Sequence, residues 1–542
     1  MHRRTLLTSS AALAATGLAP RAAARPRTGR GTTGAPVLVT RTTAGRVRGE
    51  QAAHSVVFRG VPYTAPPTGA LRFAAPVPPR PWSSVRDATR FSRPFLAPSA
   101  RDGSEDALYA NVWTPDVRGK RPVLVYVHGG AWMHNSAVNP TYDGDFPAGR
   151  GDLVVVTFNY RLGPFGFGLH EGFGAGGGAP ANWGLRDQAA LLRWVRANAA
   201  AFGGDPENIT LAGTSAGGSS AWQLALLPAT RALVRRLVLI SVAHTWQPIM
   251  SLTPRDSRTT YEAVARRLGT TVPGLRRVPA LELLDAWEAR FAGPPQSRPV
   301  ASGREMRGPV VDGRWMRGYD FALPVPDLPM LVAHTRTEGS FFTDLTAPEP
   351  RDEDALRRMV RAFLLKGAAT VPDRLVTDVI AAYRAAAVAD GLPADPFALY
   401  TEIYGDGLFR YQIQRLLERR ARTGGAPQYH LDFAHPVRPP RHGTPHEATS
   451  PFLFGTLGLP ENAPVYGNGP LEHRVAGTLV DLVASFAHTG VPRGPHAPPW
   501  PVFDPRRPST LVLGGERVAY VGAAPKTRQL AFWDEAGWVP RP

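Results

Sequence analysis

Gly213-Thr214-Ser215-Ala216-Gly217 has the residue types and spacing for covalent catalysis by a serine hydroxyl. A Gly-x-Ser-x-Gly run between a strand and a helix forms a tight turn that strains the serine backbone and exposes its Oγ. The flanks suit that context. Residues 208–212 are mostly apolar and read as a short strand, and 219–227 read as a helix that stops before Pro228. Glycine is needed on either side of the serine because a larger side chain would collide in so sharp a turn.

A serine hydroxyl is a poor nucleophile at neutral pH. It needs a base to take its proton and a third group to orient that base. Around a nucleophile elbow the order along the chain is nucleophile, acid, histidine. Glu338 follows the strand-like run 330–333 and is a candidate acid. His430, His435, His442, His446, His473, His488 and His496 are candidate bases, and spacing alone does not choose among them. His128-Gly129-Gly130-Ala131-Trp132 follows another strand-like run. The backbone N–H groups of Gly129 and Gly130, with that of Ala216, would stabilise an oxyanion. Losing one such donor lowers the rate by about 10²–10³.

These groups must be held by a framework, and the chain offers one. Residues 122–128, 153–160, 237–242, 330–333 and 428–433 read as buried strands. Asn182 is placed to cap a helix over 183–202, which Gly203-Gly204 ends. The stretches 251–300 and 346–424 carry helical periodicity and would form a cap or lateral helices at a site mouth. Residues 510–513 and 518–521 read as a hairpin. The alternation predicts a largely parallel sheet covered by helices.

The motifs in order resemble the type-B carboxylesterases of the carboxylesterase/cholinesterase family, from about residue 38 to 535. Besides the elbow and the glycine-rich loop, the resemblance is carried by Val57-Phe58-Arg59-Gly60-Val61-Pro62-Tyr63, Leu71-Arg72-Phe73 and Ser104-Glu105-Asp106-Ala107-Leu108-Tyr109. It continues through Asn159-Tyr160-Arg161-Leu162-Gly163, Asn182-Trp183-Gly184-Leu185-Arg186-Asp187-Gln188, Phe202-Gly203-Gly204-Asp205-Pro206 and Pro309-Val310-Val311-Asp312-Gly313. Phe486-Ala487-His488-Thr489-Gly490 is similar to a helix near the family's C-terminus.

The resemblance implies an α/β-hydrolase fold, with a large, mostly parallel central sheet, flanking helices and helical cap insertions. It implies hydrolysis of carboxylic esters through an acyl-enzyme. Glu338-Gly339 matches the family's acid, and Gly443-Thr444-Pro445-His446, with Gly455 nine residues later, matches its histidine segment. The implied roles are Ser215 as nucleophile, His446 as base then acid, and Glu338 as the orienting carboxylate. Asp432 is the reserve acid, and His488 matches a structural position. Two buried ion pairs are implied as well, Arg161 with Asp187 and Arg72 with Glu105.

The chain also departs from the family. Thr214 stands where many relatives carry Glu, so a carboxylate beside the nucleophile is expected to be missing. Val242 replaces a Gly, Glu447 replaces the Gly after the histidine, Thr449 replaces an acidic residue and Ala107 replaces a disulfide Cys. The segment 95–104 is short and lacks the tryptophan on which a choline cation would stack, which predicts poor activity on choline esters.

The 542 residues carry a net charge of +18, with 62 basic and 44 acidic side chains. The arginines are scattered rather than gathered on a stripe, which argues against nucleic acid as a partner. Arg3-Arg4, the weakly apolar run 6–18 and Ala22-Ala23-Ala24 read as a twin-arginine signal peptide over 1–24. A disordered linker over 25–36 and a single domain over 37–542 would follow. The expected product is a secreted monomer without stable membrane insertion. The chain has no cysteine, which fits export in the folded state and excludes thiolate chemistry.

No cofactor or metal is expected. The Gly-x-Gly-x-x-Ala run at 174–179 lacks the preceding strand of a dinucleotide site. Gly443 and Pro445 disfavour the helix that a zinc site on His442 and His446 would need. Trp132, Trp183, Trp194 and Trp222 read as packing residues. Two rival readings stand beside the esterase: the same machinery on amides, carbamates or lactones, and a catalytically silent binding or adhesion homologue. The second typically lacks the nucleophile, which this chain keeps.

Overall fold

Arg121–Val127 is apolar on both faces. Val123, Val125 and Val127 enter one core, and Leu124 and Tyr126 enter another. Leu237 and Leu239 likewise oppose Val238 and Ile240, and Met330 and Val332 oppose Leu331 and Ala333. Strands buried on both faces belong inside a parallel sheet clothed by helices.

The computed structural model describes residues 38–174, 181–242, 253–291, 308–318, 323–343, 348–364 and 370–536. The expected signal segment, the linker, residues 175–179 of the glycine-rich run and Ala243 lie outside the described residues. Residues Pro36–Pro542 group as one unit by contacts.

In chain order the strands are β1 (Val39–Arg41), β2 (Arg46–Arg48), β3 (Glu50–Gln51), β4 (Val56–Pro62), β5 (Arg86–Asp87), β6 (Tyr109–Thr114), β7 (Arg121–Val127), β8 (Val154–Phe158), β9 (Gly204–Thr214), β10 (Arg236–Ile240), β11 (Met330–Thr335), β12 (Gln428–Phe433), β13 (Ser509–Leu513) and β14 (Ala519–Ala523). Among the described residues, β1, β2 and β5 form a small sheet. The other eleven form one large sheet in the order β14-β13-β12-β11-β10-β9-β7-β8-β6-β4-β3. The run from β8 to β13 is parallel, and both edges turn antiparallel. The hairpin expected near the C-terminus is β13–β14.

Helices Trp183–Asn198 and Ala216–Leu226 cover one face, and Pro470–Thr489 covers the other. The helical stretches expected between strands are present as Pro254–Arg267 and Ala280–Phe291, then Glu353–Leu364, Asp373–Ala389, Pro396–Gly405 and Tyr411–Thr423. A π-helical turn, Asp406–Arg410, joins the last two.

Three local readings change. β9 starts at Gly204 rather than 208, and the following helix starts at Ala216, immediately after the turn residue. The helix from Trp183 ends at Asn198 and passes into a 3-10 turn, Ala199–Phe202, which Gly203 stops at φ 73. Asn182 does occupy the N-cap position, but its side chain does not cap. It accepts from Val310 N at 2.8 Å and donates to Val310 O at 2.7 Å. A loop therefore competes for the amide and wins both of its hydrogen bonds.

Both expected ion pairs are made. Arg161 donates to Asp187 at 2.8 and 2.6 Å, both side chains being buried, and to Ala74 O at 2.9 Å. Arg72 donates to Glu105 at 2.7 and 2.5 Å and reaches the carbonyls of Leu275 and Val278.

Candidate active site

The chemistry-bearing residues follow the carboxyl ends of adjacent parallel strands: the 128–135 loop after β7, Ser215 after β9, Ser241 after β10, Glu338 after β11 and His446 beyond β12. That edge is where an open α/β sheet offers a crevice. Backbone strain gathers there. Of ten non-glycine residues with positive φ among the described residues, six are Ala131, Trp132, Asn135, Ser215, Ser241 and Glu447. Such conformations persist only where the surroundings over-determine them.

Ser215 sits at φ 57, ψ −128, between the end of β9 and the helix that starts at Ala216. Its neighbours leave no room for side chains. A Cβ on Gly213 would lie 2.5 Å from the Gly217 backbone, and one on Gly217 would meet the Val127 carbonyl. Ala216 N–H opens the helix and has no acceptor within it. A Cβ on Gly129 would touch Glu447 Oε1 and come within 3.0 Å of Ser215 Cβ. The glycine-rich loop, the elbow and the histidine segment therefore converge at Gly129. Gly130, at φ 107, turns the loop, and its carbonyl accepts from Met133 and His134.

His446 is buried, and its Nδ1 is 2.6 Å from Glu338 Oε2. Its Nε2 is buried without a hydrogen-bond partner among the described residues. Nδ1–H donating to a carboxylate leaves the lone pair on Nε2, the tautomer a general base needs. Glu338 Oε1 accepts from Thr335 N at 2.8 Å and from Ser241 Oγ at 2.7 Å. Burial pushes the Glu338 carboxyl up, but His446 and these donors outweigh it and hold the group below the usual range. Phe409, in the π-helical turn, stacks on the imidazole at 4.3 Å. The exposed rings of Phe341 and Phe342 stand 5.8 and 5.7 Å from it.

The other candidates lie elsewhere. Asp432 faces His334 at 3.2 Å and Arg336 at 2.6 Å rather than His446. His430 bonds Thr510, His435 approaches Glu472, His442 packs on Phe397, and His473 and His496 are exposed. His488 Nε2 contacts the Gly151 carbonyl, a structural position. His128 is buried and its pKa falls to about 4 through desolvation, so it is neutral.

Sequence reasoning missed two residues. Ser241, the neighbour of the departing residue Val242, is given no role by the sequence, yet its Oγ donates to the acid. Glu447 was noted as a departure, yet its carboxyl occupies space beside the nucleophile where Thr214 had suggested none. The available signal was a charged residue at a position where the family carries Gly; its backbone is left-handed here, at φ 71. Thr214 itself accepts from Tyr126 Oη at 2.9 Å.

Residues 35–533 match the model of the carboxylesterase family. The chain belongs to that family. It is 34% identical over 502 residues to phenmedipham hydrolase of Pseudarthrobacter oxydans, covering 88% of this chain and 95% of that protein. It is 31% identical over 510 residues to para-nitrobenzyl esterase of Bacillus subtilis, with the same coverage. A carboxylesterase of Geobacillus stearothermophilus superposes with a TM-score of 0.76 at 34% identity, over 91% of this chain and 99% of that one. This carboxylesterase-family chain has the α/β-hydrolase fold and is a carboxylic ester hydrolase. Among the described residues no cluster suits a metal ion, and no helix is long and apolar enough to cross a membrane.

Proposed function

We propose that Ser215 attacks the ester carbonyl, His446 takes its proton through Nε2 and returns it to the leaving alcohol, and Glu338 orients the imidazole and sustains its charge. Water then attacks the acyl-Ser215 by the same route. The N–H groups of Gly129, Gly130 and Ala216 receive the oxyanion. The observation that carries this reading is the 2.6 Å Glu338–His446 contact, with Nε2 left without a hydrogen-bond partner among the described residues, on the segment that meets the strained elbow serine at Gly129.

The substrates are small-molecule esters, with apolar groups lying on the exposed rings of Phe341 and Phe342. The second reading is the same machinery acting on carbamates, amides or lactones; one relative is named phenmedipham hydrolase. The enzyme works as a secreted monomer, exported folded through its twin-arginine signal, and needs no cofactor.

Hydrolysis of p-nitrophenyl esters from acetate to decanoate, by the chain from residue 37 and by its Ser215→Ala variant, tests the reading. The variant should lose several orders of magnitude in kcat, up to ~10⁶. Equal rates, together with failure of a fluorophosphonate probe to label the folded protein, would instead favour the silent binding homologue.

A further inference from the structure

Glu447 has no part in the chemistry described so far, and its position is unusual in three respects. It follows His446 directly, in a left-handed conformation that disfavours a side chain. Its carboxyl reaches Gly129 at Cα, on the side where a Cβ would project, next to Ser215. Its hydrogen bond is a long one, from Tyr142 Oη at 3.4 Å, and Tyr142 in turn accepts from Asn135 of the glycine-rich loop at 2.7 Å.

The structural carboxylates of this protein are held differently. Asp187 and Glu105 each have a facing arginine with short paired bonds. The titratable groups whose charge bears on Glu447 are His446, Glu338, Tyr142, Tyr126, Tyr160 and Tyr466. The only cation among them is the one His446 becomes when protonated.

We propose that Glu447 is a positioning residue, whose carboxylate supports the imidazolium that forms when His446 takes the Ser215 proton. The inference rests on the Ser215–His446 reading above. A charge that gains its partner only during the reaction favours the transition state over the ground state. Burial leaves the Glu447 carboxyl above its ordinary value although the neighbouring His446 draws it down, so the two ionisations are linked. The strain at φ 71 is then retained for catalysis rather than for folding.

Glu447→Gln keeps the shape and removes the charge. Glu447→Gly removes the side chain and relieves the backbone. With p-nitrophenyl acetate, both should lose roughly tenfold in kcat with little change in KM. Both should move the acid limb of the rate profile down by about one pH unit, because the imidazolium loses a negative neighbour. Glu447→Gly should melt no lower than wild type.

Wild-type kcat and an unmoved acid limb in Glu447→Gln overturn the inference. So does a loss of rate in both variants with the limb unmoved, which marks a purely structural side chain. Ser215→Ala is run beside them and should be inactive. If it keeps the wild-type rate, the nucleophile assignment itself fails.

Discussion

Ser215, Glu338 and His446, the proposed triad, differ in how far local sequence reveals them. The elbow identifies itself because its glycines are sterically forced. Glu338 and His446 needed the family resemblance, since seven histidines had similar claims and only packing separates them. Asp432 makes the same point. It lies at the carboxyl end of β12, but His334 and Arg336 occupy it. Glu338→Gln should therefore lower kcat by about 10³–10⁴, while Asp432→Asn should keep kcat within a few-fold and lower the melting temperature. Steady-state kinetics and thermal melts on both variants check this pair. The Glu338 carboxyl is held below its ordinary value, so its stabilising contribution is full above the unfolded value of about 4.3. It is lost as pH falls through the lower folded value. Glu338→Gln should flatten the acid end of the stability curve in denaturant titrations. Glu447 was hard to read because its side chain reaches the site from a backbone conformation that sequence pattern does not encode.

Strand positions were legible because β7, β10 and β11 are apolar on both faces, while β12 alternates Gln428, His430 and Asp432 with Tyr429, Leu431 and Phe433. Boundaries were less so. β9 begins four residues early because Gly204 pairs with Arg121, and no hydrophobic pattern reports a pairing with a distant strand. The π-helical turn Asp406–Arg410 has no sequence signal either, yet it sets Phe409 on His446 and sends Arg410 to Asp406 and the carbonyls of Thr335 and Arg336. Ion pairs join elements that hydrophobic contacts alone would leave loosely oriented. Arg161–Asp187 fixes the loop after β8 to the helix Trp183–Asn198. Removing one member strands the other in a dry site, at about 3–5 kcal/mol. Arg161→Ala should show that loss in chemical denaturation, and unchanged stability would refute the argument.

Among the described residues, five histidines, His128, His334, His430, His435 and His442, are held below their ordinary value, chiefly by burial. An unfolded chain takes up those protons near pH 6.5, while the folded one resists until lower pH, about 4 for His128. The unfolded state therefore binds more protons in this window, and stability rises with pH across it. The molecule should be measurably less stable at pH 5 than at pH 7, before its carboxylates titrate, and equal denaturation midpoints would contradict this. The family match begins at residue 35, so a chain lacking residues 1–34 should keep both its melting temperature and kcat. The strand order has one more consequence. His446 meets Glu338 across 108 residues of chain, and Tyr126 meets Ser450 across 324. Contacts of such long separation form late, because the loops they close are entropically expensive. Enzymatic activity in this protein is thus a reporter of completed folding. During refolding from denaturant, helical signal should return first and turnover last, and no fragment ending before β12 can hydrolyse an ester by this route.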